Sequence, residues 1–139
     1  MRTLVKGRVF SGIGKGRYYV GHEEYQKRFR KALGYAPYPG TLNLKIEDRG
    51  SVEALRQIRS SGGIAIEGFN VDGESFSRLN CVEGEMRGRR ITLLFIDVTH
   101  YNDSVAELIS PTHLRRELGL KDGDEVSFSL DAQVPKGTP

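Results

Sequence analysis

Residues 41–46 read Thr-Leu-Asn-Leu-Lys-Ile, a strict alternation of polar and apolar side chains. Successive side chains of a strand point to opposite faces, so this alternation predicts a half-buried β-strand. Thr3–Phe10 alternates more roughly, and Val126, Phe128 and Leu130 repeat the pattern near the end of the chain. These stretches indicate that strands with one buried face form the frame of the protein.

The rest of the chain reads as short elements separated by glycine and proline. Patterns of two-residue and 3.6-residue periodicity distinguish strands from helices. Further strands are predicted over 18–20, 64–67, 76–87, 89–98 and 105–109, with a turn at 70–74. Helices are predicted over 22–33, over 51–60 with Ser51 as cap, and over 110–118 with Ser110 as cap and Pro111 in the first turn.

Six or more short strands with three short helices favour a mainly β fold, namely a β-barrel with short helices. An open sheet of this length would leave edges in need of protection, whereas closure removes them. The chain has no regular βαβ units, which argues against a doubly wound sheet. We expect a single barrel domain over residues 1–131 and a flexible tail over 132–139.

Composition limits the class of protein. The 139 residues are 37% hydrophobic and 28% charged, which is too apolar for a disordered chain, and the formal net charge is +3. Cys81 is the only cysteine, so an intrachain disulfide is excluded and a packed core thiol is expected. The N-terminus has no signal-peptide core and no apolar run is long enough to span a bilayer, so we expect a cytoplasmic protein.

Three segments carry candidate chemistry, and the first is the glycine loop, residues 11–17, which read Ser-Gly-Ile-Gly-Lys-Gly-Arg. Glycine lets backbone N–H groups approach an anion closely, and Lys15 and Arg17 add positive charge for phosphate oxygens. The spacing matches neither the Walker A pattern nor the dinucleotide fingerprint. By itself the segment therefore fits a phosphate cradle or a plain hairpin turn.

The second segment is the strand that carries Thr41 and Asn43. Residues two apart in a strand share a face, about 7 Å from each other. A hydroxyl and an amide oxygen on one face suit Mg²⁺, which prefers oxygen ligands. An ordinary strand with a polar outer face explains the same pattern.

The third segment runs from 98 to 103 and on through 107–115. It gathers hydroxyl, imidazole and carboxylate groups near a predicted helix start, where anions are favoured. A capped helix beside a solvated loop is the alternative. His100 is a candidate site-lining residue, whereas His22 is expected to be a surface or capping residue.

Together the three segments resemble the archaeal CTP-dependent riboflavin kinases. The resemblance covers nearly the whole chain by order and spacing, although residues 47–90 match weakly. It rests on residues 12–19, on 33–35, on Pro37-Tyr38-Pro39-Gly40-Thr41-Leu42-Asn43-Leu44, and on 107–111, 114–115 and 118–124. The chain departs from the family pattern at His100-Tyr101, where the family has Tyr-His, and at Thr112-His113, where it has Met-Lys.

The resemblance implies a six-stranded cradle-loop barrel of the riboflavin-kinase-like kind and a set of site residues. It implies metal binding by Thr41 and Asn43 and flavin binding by Thr99 and Glu107. The nucleotide-binding residues that it implies are Gly12, Ile13, Gly14, Lys15, Gly16, Arg17, Thr112, His113, Leu114 and Arg115.

The resemblance also implies an activity: transfer of the γ-phosphate of CTP to the 5′-hydroxyl of riboflavin, giving FMN and CDP, with Mg²⁺ as cofactor. Lys15, Arg17, Thr41 and Asn43 would carry the chemistry. Riboflavin and CTP are the expected partners of a monomer that binds neither nucleic acid nor membrane. Two alternatives stay open: a nucleic-acid-binding module, because residues 118–126 resemble the end of swapped-hairpin transcription factors, and a non-catalytic flavin-binding protein.

Overall fold

The computed structural model describes residues 2–12, 14–96 and 104–131. Within these ranges the chain forms strands and helices in an irregular alternation. They are β1 (Thr3–Phe10), α1 (Lys15–Val20), α2 (Glu23–Leu33), β2 (Leu42–Lys45), α3 (Arg49–Ser60), β3 (Ile64–Ile66), β4 (Phe69–Val71), β5 (Glu74–Phe76), β6 (Leu79–Met86), β7 (Arg89–Ile96), β8 (Val105–Ile109), α4 (Leu114–Glu117) and β9 (Glu125–Leu130).

Six of these strands close into an antiparallel barrel. Their order is β6-β7-β8-β2-β1-β9, and β9 pairs back onto β6 where Gly84 lies opposite Leu130. β3 extends the sheet beside β6, while β4 and β5 form a separate hairpin. The closed barrel confirms the fold predicted from the alternating segments.

The inside of the barrel is the main hydrophobic core. Val5, Leu44 and Phe128 point inward and are almost fully buried, as the alternation of their strands predicts. α3 adds Leu55 and Ile58 to this core. The residues that alternate with these along each strand therefore point to the outer face of the barrel.

A second core lies on the outside of the barrel wall. There α2 packs Phe29 and Leu33 against a cluster that includes Cys81, Leu94 and Ile109. Cys81 is buried, and burial raises the pKa of its thiol to about 12, which confirms the packed core thiol. α2 ends at Leu33, as predicted, and His22 caps its start by accepting a hydrogen bond from the Glu24 N–H.

The prediction of a strand at 18–20 was wrong, because these residues belong to α1. The β-prone aromatic residues are held in a helix by contacts distant in sequence. The Tyr18 hydroxyl donates to Glu74 at 2.7 Å, and the ring of Tyr19 packs edge-on against Phe76 with centroids 6.0 Å apart. The hairpin of β4 and β5 therefore overrides the local preference.

Two predicted helix caps were also wrong. α3 begins after Asp48, whose carboxylate accepts the Ser51 N–H at 2.9 Å, while the Ser51 hydroxyl accepts the N–H of Lys6. The Ser110 hydroxyl donates to the carbonyl of Arg90 at 2.7 Å, and α4 begins later, after His113. The side chains of both serines form hydrogen bonds with the backbone of barrel strands and do not cap a helix. Among the helices of the described residues, none is long and apolar enough to cross a membrane.

Candidate active site

A pocket of about 570 Å³ opens where β1, β2 and β8 meet the glycine loop and α4. It is lined by residues 10–12, 14–17, 38–43, 105, 107, 108, 110 and 112–115. Every predicted site residue that the structure describes therefore lies on one pocket. Ile13 and Thr99, predicted for the nucleotide and the flavin, lie outside the described residues, as do His100, Tyr101 and the tail 132–139.

Thr41 and Asn43 line the pocket, Thr41 immediately before β2 and Asn43 within it. Both are half-buried, and the Thr41 hydroxyl donates to the Asn43 Oδ1 at 3.0 Å. Mg²⁺ binds oxygen at about 2.0–2.1 Å in octahedral geometry, so two ligands at right angles lie about 3 Å apart. The spacing of the two oxygens fits neighbouring ligands of one magnesium ion.

The glycine loop passes directly over this oxygen pair. A Cβ placed on Gly12 would lie 2.6 Å from Asn43 Nδ2, and a Cβ placed on Gly16 would lie 2.6 Å from Thr41 Oγ1. Cβ atoms essentially never come that close to other atoms, so a side chain at either position would force Asn43 or Thr41 to shift, and glycine lets the loop lie over both as they stand. The first and third glycines of the motif thus have a packing reason that the sequence pattern did not show.

Glu107 stands on β8 directly opposite Asn43 of β2. Directly opposite residues of an antiparallel pair share a face of the sheet, so the carboxylate lies on the same side as the Asn43 amide. Glu107 is half-buried and burial raises its pKa, and no described residue donates a hydrogen bond to it. It is the one carboxylate among the described residues that line the pocket.

The pocket lining also carries cationic side chains. Lys15 and Arg17 lie at the start of α1 with exposed side chains, and no described residue forms an ion pair with either. The pocket therefore combines unpaired positive charge from the glycine loop with a single carboxylate from β8.

Residues 112–115 form the rim of the pocket, and two of their side chains are engaged within the protein. The Thr112 hydroxyl donates to Glu117 at 2.9 Å. The Arg115 guanidinium pairs with Asp122 and donates to Ser11. Leu114 is buried in the barrel core. Of the nucleotide contacts predicted here, main-chain groups and the His113 side chain remain available.

His113 stacks on Tyr38, with parallel rings whose centroids are 4.7 Å apart. Its Nδ1 is buried without a hydrogen-bond partner among the described residues. Burial lowers the pKa of His113, and the charges of Arg116, Arg17 and Arg115 lower it further. The imidazole is thus kept neutral at physiological pH.

Sequence reasoning missed three residues at the pocket. Phe10 and Tyr38 line it, and Asp122 holds Arg115 at its edge. The position of Tyr38 between two prolines, next to the Thr41–Asn43 segment, was the available signal. Asp122 was interpreted as a turn residue, which it is, and no local pattern indicated its long-range contacts.

Comparison with known proteins identifies the family. The profile named CTP-dep_RFKase, described as a domain of unknown function (DUF120), matches residues 9–130. The match covers most of the chain, including the whole pocket lining.

Curated relatives point the same way. The chain is 44% identical to a riboflavin kinase from Archaeoglobus fulgidus over 126 residues, which are 91% of this chain and 54% of that protein. It is 37% identical to one from Methanococcoides burtonii, over 90% of this chain and 56% of that protein. It is 40% identical to one from Thermoplasma volcanium, over 93% of this chain and 58% of that protein. The chain thus spans little more than half the length of these relatives.

Proposed function

This chain belongs to the CTP-dependent riboflavin kinase family, and we propose that it transfers the γ-phosphoryl group of CTP to the 5′-hydroxyl of riboflavin, giving FMN and CDP. The observation that carries the proposal is the contact of the glycine loop with Thr41 and Asn43, with Glu107 opposite Asn43. One pocket then offers groups for a polyphosphate, a divalent cation and a polar acceptor molecule.

The glycine loop is assigned to the phosphates. Its backbone N–H groups and the side chains of Lys15 and Arg17 are donors that suit phosphate oxygens. Phosphoryl transfer passes through a loose transition state, so positioning and charge neutralisation dominate its catalysis. Two cations without internal partners have their full charge available for a bound triphosphate.

Thr41 Oγ1 and Asn43 Oδ1 are assigned to Mg²⁺. When bound, the ion neutralises charge on the phosphate oxygens. Binding it requires the Thr41 hydroxyl to give up its hydrogen bond to Asn43, so that both oxygens present lone pairs on the same side. The glycine contacts hold the two side chains beneath the loop, so metal and phosphates would meet at one place.

Glu107 is assigned to riboflavin. A carboxylate accepts hydrogen bonds from the N3–H of an isoalloxazine ring or from ribityl hydroxyls. No described residue donates a hydrogen bond to the Glu107 carboxylate, so its oxygens are available to the flavin. Its place opposite Asn43 brings the acceptor molecule beside the metal ligands. Thr99 remains a predicted second flavin ligand.

No side chain is assigned as a general base. A loose transition state develops little positive charge on the attacking hydroxyl, so early proton removal contributes little. The cytosine is assigned to the rim at 112–115, through main-chain groups and the His113 ring, because the side chains of Thr112 and Arg115 are engaged elsewhere.

The test is a product assay. The protein is incubated with riboflavin, Mg²⁺ and each of the four nucleoside triphosphates, and FMN is quantified by chromatography and mass spectrometry. We expect FMN with CTP in preference to ATP, GTP and UTP. If no triphosphate yields FMN, the proposal is wrong, and riboflavin binding without turnover would then identify a non-catalytic flavin-binding protein.

A further inference from the structure

Arg115 lines the pocket, yet its guanidinium is committed to three groups of the protein. Nη2 pairs with the Asp122 carboxylate, Nη1 donates to the Ser11 hydroxyl at 3.2 Å, and Nε donates to the Leu120 carbonyl at 3.2 Å. The Ser11 hydroxyl in turn donates to Asp122, with its two oxygens at 2.9 and 3.0 Å. Ser11, Asp122 and Arg115 thus form a closed ring of hydrogen bonds, here called the Ser11 clasp.

The clasp is anchored to the end of β1. The N–H of Val9 donates to the Asp124 carbonyl at 2.8 Å, and the N–H of Gly123 donates back to the Val9 carbonyl at 2.8 Å. The Arg8 guanidinium also donates to the Gly123 carbonyl, at 2.8 Å. These bonds fix the turn that carries Asp122 relative to β1, so the clasp holds Ser11 in a defined place.

Ser11 is the residue immediately before Gly12, which touches the Asn43 amide. Movement of Ser11 therefore moves the glycine loop relative to the oxygen pair. Arg115 differs from Lys15 and Arg17 in this respect: its charge is balanced by Asp122, whereas theirs is not balanced by any described residue.

We propose that Arg115 is a positioning residue that acts through Ser11 and Asp122 to hold the glycine loop, and that it does not bind the nucleotide phosphates itself. The inference rests on the proposed function, because it assigns the loop to CTP. It also identifies Ser11 and Asp122 as determinants of nucleotide affinity, because they hold the glycine loop in place.

Asp122→Asn separates the two roles of Arg115. If Arg115 bound phosphate directly, removing a competing carboxylate would free the guanidinium and tighten CTP binding. If Arg115 acts through the clasp, weakening its charged hydrogen bonds loosens the loop, and CTP binding weakens about fivefold to tenfold. Ser11→Ala should also weaken CTP binding, whereas Ser11→Thr, which keeps a hydroxyl, should bind CTP as tightly as the wild type.

The measurement is CTP affinity by calorimetry with Mg²⁺ at pH 8, together with the KM values for CTP and riboflavin. Combining Ser11→Ala with Asp122→Asn should cost little more than the larger single change, because both break one network. The KM for riboflavin should not change. Arg30→Ala is the matched control, since Arg30 is exposed on the last turn of α2, removes the same charge, bonds neither Ser11 nor Asp122 and does not line the pocket.

Amide hydrogen exchange of residues 11–17 gives a readout that does not need catalysis. Exchange should rise in Ser11→Ala and Asp122→Asn and stay at the wild-type rate in Arg30→Ala. Unchanged exchange, or CTP binding in Asp122→Asn that is unchanged or tighter, overturns the inference. If the wild-type protein makes no FMN, only the proposed kinase activity is contradicted. CTP binding and amide exchange still test the role of Arg115.

Discussion

Asn43 and Glu107 face each other across the paired strands β2 and β8, one a neutral amide under the glycine loop and the other a carboxylate without a described donor. This pair joins the two halves of the pocket, since Asn43 contacts Gly12 and Glu107 stands toward the outer wall of the barrel. Because the Glu107 carboxylate is partly buried without a donor, its ionised form lowers the stability of the folded protein.

Glu107→Gln should stabilise the protein at pH 8 while it weakens riboflavin binding. Burial raises the pKa of Glu107, so the folded state holds its proton to a higher pH than the unfolded chain does. Wild-type stability then falls as pH rises through that window, by about 1.4 kcal/mol for each unit of elevation. Glutamine keeps the size and loses the charge, so its advantage should be largest at pH 8 and vanish near pH 4.

Thermal unfolding at pH 4 and pH 8 checks the stability effect, and the KM for riboflavin, expected to rise about tenfold, checks the binding effect. Glu67→Gln is the control, because the Glu67 side chain is largely exposed. Its ion pair with Arg78 is a surface contact at 3.6 Å, which contributes little to stability. A Glu107→Gln variant that is less stable than wild type at pH 8 would contradict the assigned burial cost.

Gly16→Ala should abolish activity without unfolding the protein. Its Cβ would lie 2.6 Å from the Thr41 Oγ1, so the threonine must move away from Asn43. Alanine also favours the helix α1 by about 1 kcal/mol, which offsets part of the strain. We expect FMN formation to fall at least about 100-fold with a small change in melting temperature.

Gly34→Ala provides the opposite pattern. Gly34 ends α2 with a φ of 82° and has open space where a Cβ would stand. Alanine there costs about 1–2 kcal/mol of backbone strain and touches no site residue. Its melting temperature should fall while its activity stays at the wild-type level. Equal activity in the two variants would show that the contact of Gly16 with Thr41 is not needed.

The alternating strands could be predicted because period-two burial is a local property. Residues 41–46 and 105–109 fall within a residue or two of the observed strands, and the same reading led to the barrel. Tyr18 and Ser110 were misassigned because their partners, Glu74 and Arg90, lie far along the chain. A single sequence does not reveal which distant group competes with a local preference.

The site residues also divide into those that a local pattern predicts and those that depend on contacts distant in sequence. Thr41 and Asn43 are two residues apart, so a strand pattern sufficed to put their side chains on one face. Residues that meet only in the folded barrel were missed: Ser11 with Asp122, and Tyr38 with His113. The resemblance to a family placed the 112–115 segment at the nucleotide, but it did not show that the Arg115 side chain is bound within the protein.

Thr41→Val and Asn43→Ala should each raise the Mg²⁺ concentration needed for half-maximal activity. Valine keeps the shape of threonine and removes the oxygen, so the metal would lose one of two protein ligands. The double variant should lose at least about 100-fold of the activity at any Mg²⁺ concentration. FMN formation is measured across a MgCl₂ series, with Asn70→Ala as control because Asn70 bonds Ser75 within the β4–β5 hairpin and does not line the pocket. Full activity in the double variant would remove Thr41 and Asn43 as metal ligands.

The pKa of His113 should lie below that of an ordinary histidine, and Arg116→Ala should raise it. Burial is the largest cause of the lowered pKa, followed by the positive charge of Arg116 and then of Arg17. Removing one cation makes protonation easier, so the pKa moves up but stays below 6.5, the value from which burial lowers it.

The titration is followed by the imidazole C2–H resonance in NMR spectra between pH 4 and 8. Arg30→Ala, on the last turn of α2, changes the same charge on another helix and should leave the resonance unaffected. If Arg116→Ala shifts His113 no more than Arg30→Ala does, the charge of Arg116 does not reach the ring that stacks on Tyr38.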